Sequence, residues 1–106
     1  MEVQLYYFDR CPSYERALQN LRESLRLEGL SEAVELIAVA SEAEALQKRF
    51  IGSPTIRING VDLEGEAAEA RGYGFGCRVY DQEGRLVGWP SVDQIRRVLQ
   101  SARKEA

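Results

Sequence analysis

The stretch Asp9-Arg10-Cys11-Pro12-Ser13-Tyr14 decides how this chain is read. The apolar run Val3-Gln4-Leu5-Tyr6-Tyr7-Phe8 precedes it, and residues 2–8 read as a buried strand. Behind it Tyr14, Ala17, Leu18, Leu21 and Leu25 recur at helical spacing. Residues 13–28 therefore read as an amphipathic helix, stopped near Gly29. Cys11 falls at the strand-to-helix junction. Proline is favoured at the first helical position, where its missing N–H has no intrahelical partner anyway. Pro12 is expected there, with Cys11 at or near the N-cap. The unpaired N–H groups and the positive end of the helix dipole at such a position favour the thiolate, the reactive form of cysteine. The alternative is a small, buried, inert cysteine at a strand end, because free cysteine is among the most often buried residues.

Outward from that junction, Ala33-Val34-Glu35-Leu36-Ile37-Ala38-Val39 reads as a second strand, with the near-continuous apolar character of a central parallel strand. Ser41-Glu42-Ala43-Glu44 matches a capping box. It opens a second helix whose apolar face is Ala43, Leu46 and Phe50 and whose stop is Gly52. Thr55, Ile56 and Ile58 form a third strand, with Pro54 at its first residue because proline cannot donate to a ladder. Asn59-Gly60 is a turn.

Residues 61–76 look irregular, a length of loop that is usually functional or disordered. They begin acidic (Asp62, Glu64, Glu66, Glu69), have room for a short helical turn at Glu66–Arg71, and end in a glycine-rich part that reads as mobile. Cys77-Arg78-Val79-Tyr80 and Arg85-Leu86-Val87-Gly88 are two short strands about the turn Asp81-Gln82-Glu83-Gly84. Ser91-Val92-Asp93-Gln94 opens the last helix, with Val92, Ile95, Leu99 and Ala102 on its buried face; Arg103–Ala106 should fray. The order is β-α-β-α-β-β-α. Two long crossovers require parallel pairing with helices packed on the sheet, while the last two strands can pair antiparallel. The expectation is one α/β domain over 1–106, a central mixed sheet flanked by helices.

Composition narrows the chemistry. At 106 residues the chain can bury a core without staples, and its formal charge of -3 gives no support to nucleic-acid binding. No apolar run approaches a membrane span, and the strand pattern starts too early for a signal peptide, so no membrane association and a cytoplasmic location are expected. Histidine is absent. That removes Cys-His and Ser-His catalytic pairs and the commonest neutral metal ligand. Two cysteines cannot alone complete a tetrahedral zinc site, so no metal is expected.

An apolar strand ending in an aromatic, Cys11-Pro12 opening a helix, and Gly52-Ser53-Pro54-Thr55 ahead of the third strand together resemble the thioredoxin-like superfamily, glutaredoxin especially. Small bacterial thioredoxin-like proteins, some named after alkylmercury lyase, carry a similar Gly-Ser-Pro-Thr segment. They also carry a later Cys-Arg-x-Tyr segment, here Cys77-Arg78-Val79-Tyr80. The resemblance implies a thioredoxin-like fold in which Pro54 is cis and faces Cys11. It implies that Val87-Gly88-Trp89-Pro90-Ser91 is the last strand of the sheet turning into the final helix, with Gly88 at the Cys11 end. The chain departs from the family's Cys-x-x-Cys motif, having Cys11-Pro12-Ser13-Tyr14. Tyr14 cannot exchange disulfides, so a two-cysteine cycle within the motif is excluded.

What the resemblance implies functionally is a thiol–disulfide oxidoreductase of atypical type. Cys11 would form a mixed disulfide with a disulfide-bearing protein or small thiol, and Cys77 or an external thiol such as glutathione would resolve it. No cofactor beyond such a thiol is implied. Pro12, Ser13, Tyr14, Ser53, Pro54 and Thr55 would form the substrate surface, the Ser53 backbone pairing with an extended substrate as an added strand. The hairpin would return Cys77 to the Cys11 end; a buried strand cysteine under the loop is the alternative. Two other readings stand: a non-catalytic binding module, which Tyr14 favours, and soft-metal or organomercurial handling by the two thiolates, with Asp9 or Asp62 as proton donor. Arg57 and Arg78 could bind a carboxylate or be solvated strand residues, and Trp89 could line a groove or cover the last strand.

Overall fold

A computed structural model describes residues 1–105, the side chains of 69, 70 and 105 excepted. Its elements are β1 (Val3–Tyr7), α1 (Tyr14–Leu27), β2 (Val34–Ala38), α2 (Glu42–Gln47), β3 (Thr55–Ile58), β4 (Val61–Asp62), a 3-10 segment (Gly65–Arg71), β5 (Tyr80–Gln82), β6 (Arg85–Val87) and α3 (Val92–Glu105). Four strands make a mixed sheet in the order β2-β1-β3-β4. β1 runs parallel to β2 (Leu5 opposite Leu36) and antiparallel to β3 (Leu5 opposite Ile56); β3 runs antiparallel to β4. No helix among the described residues is long and apolar enough to cross a membrane.

Alternation along β1 and β3 divides the core in two. Val3, Leu5, Ile56 and Ile58 face α1 and α3, meeting Ala17, Leu21, Leu25, Ile95 and Leu99. On the opposite face Tyr6 meets Val39, Ala45 and Phe50 around α2. Successive strand residues point to opposite faces, so one central strand serves both cores.

Three expectations about elements are overturned. β2 is an edge strand, and Leu36 on it is 43% exposed; apolar content alone does not distinguish an edge from a centre. α2 buries Ala45 and Phe50, while Ala43 is exposed and Leu46 is 61% exposed. The helix ends at Lys48 instead of running to Gly52, because Arg49 turns left-handed (φ 56°) and brings Phe50 N–H back to the Ala45 carbonyl at 2.8 Å. The third concerns the last strand of the main sheet. Asn59 and Gly60, both at positive φ, form a two-residue hairpin turn that returns the chain at once as β4. β5 and β6 pair only with each other, about Glu83-Gly84, as a separate ribbon. Residues 85–88 therefore do not close the sheet; Val61–Asp62 does.

Helix ends follow local chemistry. α1 stops as expected at Gly29 (φ 69°), with Leu30 N–H on the Leu25 carbonyl and Gly29 N–H on the Arg26 carbonyl, the paired closure that glycine permits. Ser41 caps α2 through Glu44 N–H, and Ser91 caps α3 through Gln94 N–H. α3 remains helical to Glu105 where fraying was expected; Ala106 lies outside the described residues. Arg103 near its end donates to the Glu28 carbonyl at 2.9 Å.

Glu28, the C-cap of α1, ties the two helices together by accepting from Arg96 Nε at 2.7 Å and Gln100 Nε2 at 3.0 Å. The Arg96 and Gln100 hydrogen bonds hold its carboxyl below the usual range, with the charges of Arg96 and Arg103 adding to the effect against partial burial. A carboxyl lowered in the fold contributes stability that is complete above its unfolded pKa and is lost as pH falls through its folded one. We therefore expect unfolding midpoints to drop below about pH 4.5. Glu28→Gln should be less stable than the parent at neutral pH and should show a flatter acid limb in urea titrations.

Candidate functional site

At the end of β1, Cys11 N–H donates to the Phe8 carbonyl at 3.0 Å, closing a turn over residues 8–11. That turn delays the helix. Ser13 is the N-cap, Ala17 N–H reaches the Ser13 carbonyl, and Pro12 lies exposed outside the helix. Cys11 lies near the N-cap, two residues before it, but Pro12 is not the first helical residue as expected, since the Phe8–Cys11 bond spends the Cys11 amide on a turn. Tyr14 stacks on Tyr7 with ring centroids 4.4 Å apart, which fixes the first turn of α1 on the sheet.

Cys11 is 4% exposed. Its Sγ lies 3.6 Å from the Ser53 carbonyl oxygen as a hydrogen-bond donor. The Ser53–Pro54 peptide bond is cis, as the resemblance implied. Ser53, Pro54 and Thr55 are all buried, so none of these side chains offers a surface to a substrate. Ser53 also accepts from Phe8 N–H through Oγ at 3.4 Å, and so holds the turn from two sides.

The second cysteine meets the same residue. Ser53 and Cys77 form an isolated parallel bridge: Ser53 N–H donates to the Gly76 carbonyl at 2.8 Å, and Arg78 N–H to the Ser53 carbonyl at 3.0 Å. The Ser53 oxygen thus accepts both the Cys11 thiol and the peptide N–H that follows Cys77. The backbone groups expected to receive a substrate strand are already taken by the chain's own residues 76–78. Both cysteines are free; Cys77 is exposed, not buried under the loop.

The glycine-rich run expected to be mobile is held at successive points. Arg49 Nε donates to Tyr73 Oη at 3.0 Å, Gly74 N–H to the Phe50 carbonyl at 2.9 Å, and the Phe75 ring packs on Phe8 at 5.0 Å. Gly52 (φ 136°) permits the approach, because a Cβ there would lie 3.0 Å from Arg78 Cβ and 3.3 Å from the Gly76 carbonyl. Gly88 plays a similar part beside α1: a Cβ on it would fall 2.2 Å from Ser13 Oγ.

Arg78 anchors this segment. It is 4% exposed and reaches Asp62 through two bonds of 2.7 Å, Glu64 at 2.7 Å, Thr55 Oγ1 at 3.2 Å and the Tyr80 ring at 4.6 Å. Only its Nε is a buried side-chain donor without a hydrogen-bond partner among the described residues. Burial works against the charge, but the Asp62 hydrogen bonds, the Asp62 charge and the Glu64 hydrogen bond outweigh it and hold the guanidinium protonated beyond its usual range. Arg78 is therefore neither a carboxylate-binding site nor a solvated strand residue. Arg57 is also structural: it donates to the Lys48 and Arg49 carbonyls at the end of α2 and lies over the Tyr6 ring. Trp89 packs partly buried against the α1–α3 core, under Arg16. A cavity of about 890 Å³ opens between the β5–β6 ribbon and the start of α3, beside Arg16, Trp89 and Arg97, and neither cysteine lines it.

Comparison with protein-family models, curated proteins and solved structures finds no match. Sequence reasoning missed the Arg78–Asp62–Glu64 cluster. The strand expected over Cys77–Tyr80 starts only at Tyr80, leaving Arg78 ahead of it, and the buried acid partners required knowing that the chain turns back at Gly60.

Arg78→Met should cost about 3–5 kcal/mol in urea unfolding, because Asp62 would stay buried without its partner. Arg78→Met combined with Asp62→Leu should recover part of that loss. Tyr80, fully buried, donates to the Pro54 carbonyl at 2.5 Å, and burial pushes its phenol far above the usual range. A phenol raised in the fold gives stability that is complete below its unfolded pKa of about 10 and declines above it. Stability should fall above about pH 10, and Tyr80→Phe should shallow that decline while costing about 1–3 kcal/mol at neutral pH.

Proposed function

We propose that the protein is a thiol–disulfide exchange protein acting through Cys11 and Cys77 on a thioredoxin-like scaffold. The observation that carries this reading is the Ser53 carbonyl, which accepts the Cys11 thiol and the peptide N–H adjoining Cys77 at once. A sheet of order β2-β1-β3-β4 with a cis Ser53–Pro54 bond beside Cys11 supports the scaffold. In the reaction one cysteine thiolate attacks a substrate disulfide and expels one substrate thiol. The other cysteine then attacks the protein sulfur of that mixed disulfide and expels the second. The substrate disulfide is reduced to two thiols and the protein gains an internal Cys11–Cys77 disulfide. Two equivalents of an external thiol such as glutathione return it to the dithiol and leave joined as their own disulfide.

The burial of Cys11, together with the occupied Ser53 edge, favours a second reading, a binding module without turnover. Metal or organomercurial handling by the same thiols is less well served, because Asp62, one of its two candidate proton donors, is engaged by Arg78.

The test is to titrate the reduced protein with oxidised glutathione and map disulfides by peptide mass spectrometry. Exchange predicts a disulfide joining the Cys11 and Cys77 peptides. It also predicts a disulfide-reductase rate that falls at least about tenfold in either Cys11→Ser or Cys77→Ser. Thiols that never pair, with a rate unchanged in the double variant, would leave the binding module.

A further inference from the structure

Accepting the exchange reading, we infer that the two thiols divide the reaction by access: Cys77 is the entry nucleophile and Cys11 the resolving one. The motif cysteine at the strand-to-helix junction is then the second to react. Cys77 is exposed, whereas Cys11 is 4% exposed and spends its sulfur on the Ser53 carbonyl. Residues 76–78 lie along the Ser53 edge, and they are fastened there by both Ser53 backbone bonds and by the buried Arg78 ion pair. A disulfide approaching Cys11 requires its buried site to open and its hydrogen bond to Ser53 to break, whereas Cys77 already meets solvent.

The order of steps follows. The Cys77 thiolate attacks one sulfur of the substrate disulfide, forming a Cys77–substrate bond and releasing the first substrate thiolate, which takes up a proton from water. Residues opposite each other in a ladder project to the same face, so the Cys77 side chain lies on the face of Ser53 that carries Oγ, toward the Phe8–Cys11 turn. Cys11 then gives up its hydrogen bond to Ser53, loses its proton to solvent and attacks the Cys77 sulfur. The Cys11–Cys77 bond forms, and the substrate's second sulfur leaves as a thiolate and is protonated. Two protein thiols are oxidised and one substrate disulfide is reduced. This order needs no cysteine at position 14, because Cys77 supplies the second sulfur of the pair.

Two measurements test the assignment. In the native wild-type protein, iodoacetamide should modify Cys77 at least about tenfold faster than Cys11, and in denaturant the two rates should converge, since only the fold distinguishes them. With oxidised glutathione, Cys11→Ser and Cys11→Ala should accumulate a lasting mixed disulfide on Cys77. Cys77→Ser should form none on Cys11 over the same time. Native alkylation of Cys11 ahead of Cys77, or an internal disulfide reached through a mixed disulfide on Cys11, would overturn the assignment and leave the exchange reading standing. Reactive thiols with no internal disulfide would remove the exchange reading and this assignment together.

Discussion

A buried guanidinium is the constraint from which the site follows. Taking a charge out of water costs several kcal/mol unless it is paired and hydrogen-bonded, so Arg78 can occupy the interior only if carboxylates meet it there. Asp62 meets it because the Asn59-Gly60 turn returns the chain immediately as β4. Glu64 adds a second carboxylate. The neighbour of Arg78 in sequence is Cys77, so the pairing that fixes the charge also fixes the Cys77 backbone beside Ser53. Breaking the pair would free residues 76–78 from their buried anchor beside Ser53.

Ser53 converts that anchoring into a site. Its side chain holds the Phe8 amide, its N–H holds Gly76, and its carbonyl takes Arg78 and Cys11. Two segments that lie far apart in sequence, residues 8–11 and 76–78, converge on this single residue. Its neighbours are specialised to allow this: Gly52 has no Cβ to collide with Arg78, and the Pro54 carbonyl receives the buried Tyr80 hydroxyl. The cost of such convergence is access. The same backbone bonds that seat residues 76–78 beside Ser53 occupy the edge on which an extended peptide would otherwise lie.

How much was legible depended on the range of the interaction. Helix limits were read to within a residue or two at α1, because Gly29 and the apolar spacing are local signals. The Ser41 and Ser91 caps were equally local. α2 was misread where Arg49 adopted a left-handed conformation that no glycine announced. At the junction, a Phe8–Cys11 turn displaced Pro12 from the helix, and that turn depends on Ser53, which lies 45 positions after Phe8. Sequence left a buried alternative open for both cysteines; the fold buries Cys11 and exposes Cys77.

Sequence alone determined the α/β class and the three helices seen among the described residues, because periodicity and capping residues act within a few positions. Tertiary structure decided which strand lies at the edge, which short strand closes the sheet, and which thiol meets solvent. Those outcomes depend on pairing between residues distant along the chain. The buried charge of Arg78 and the shared carbonyl of Ser53 select that pairing only once the chain has folded back on itself.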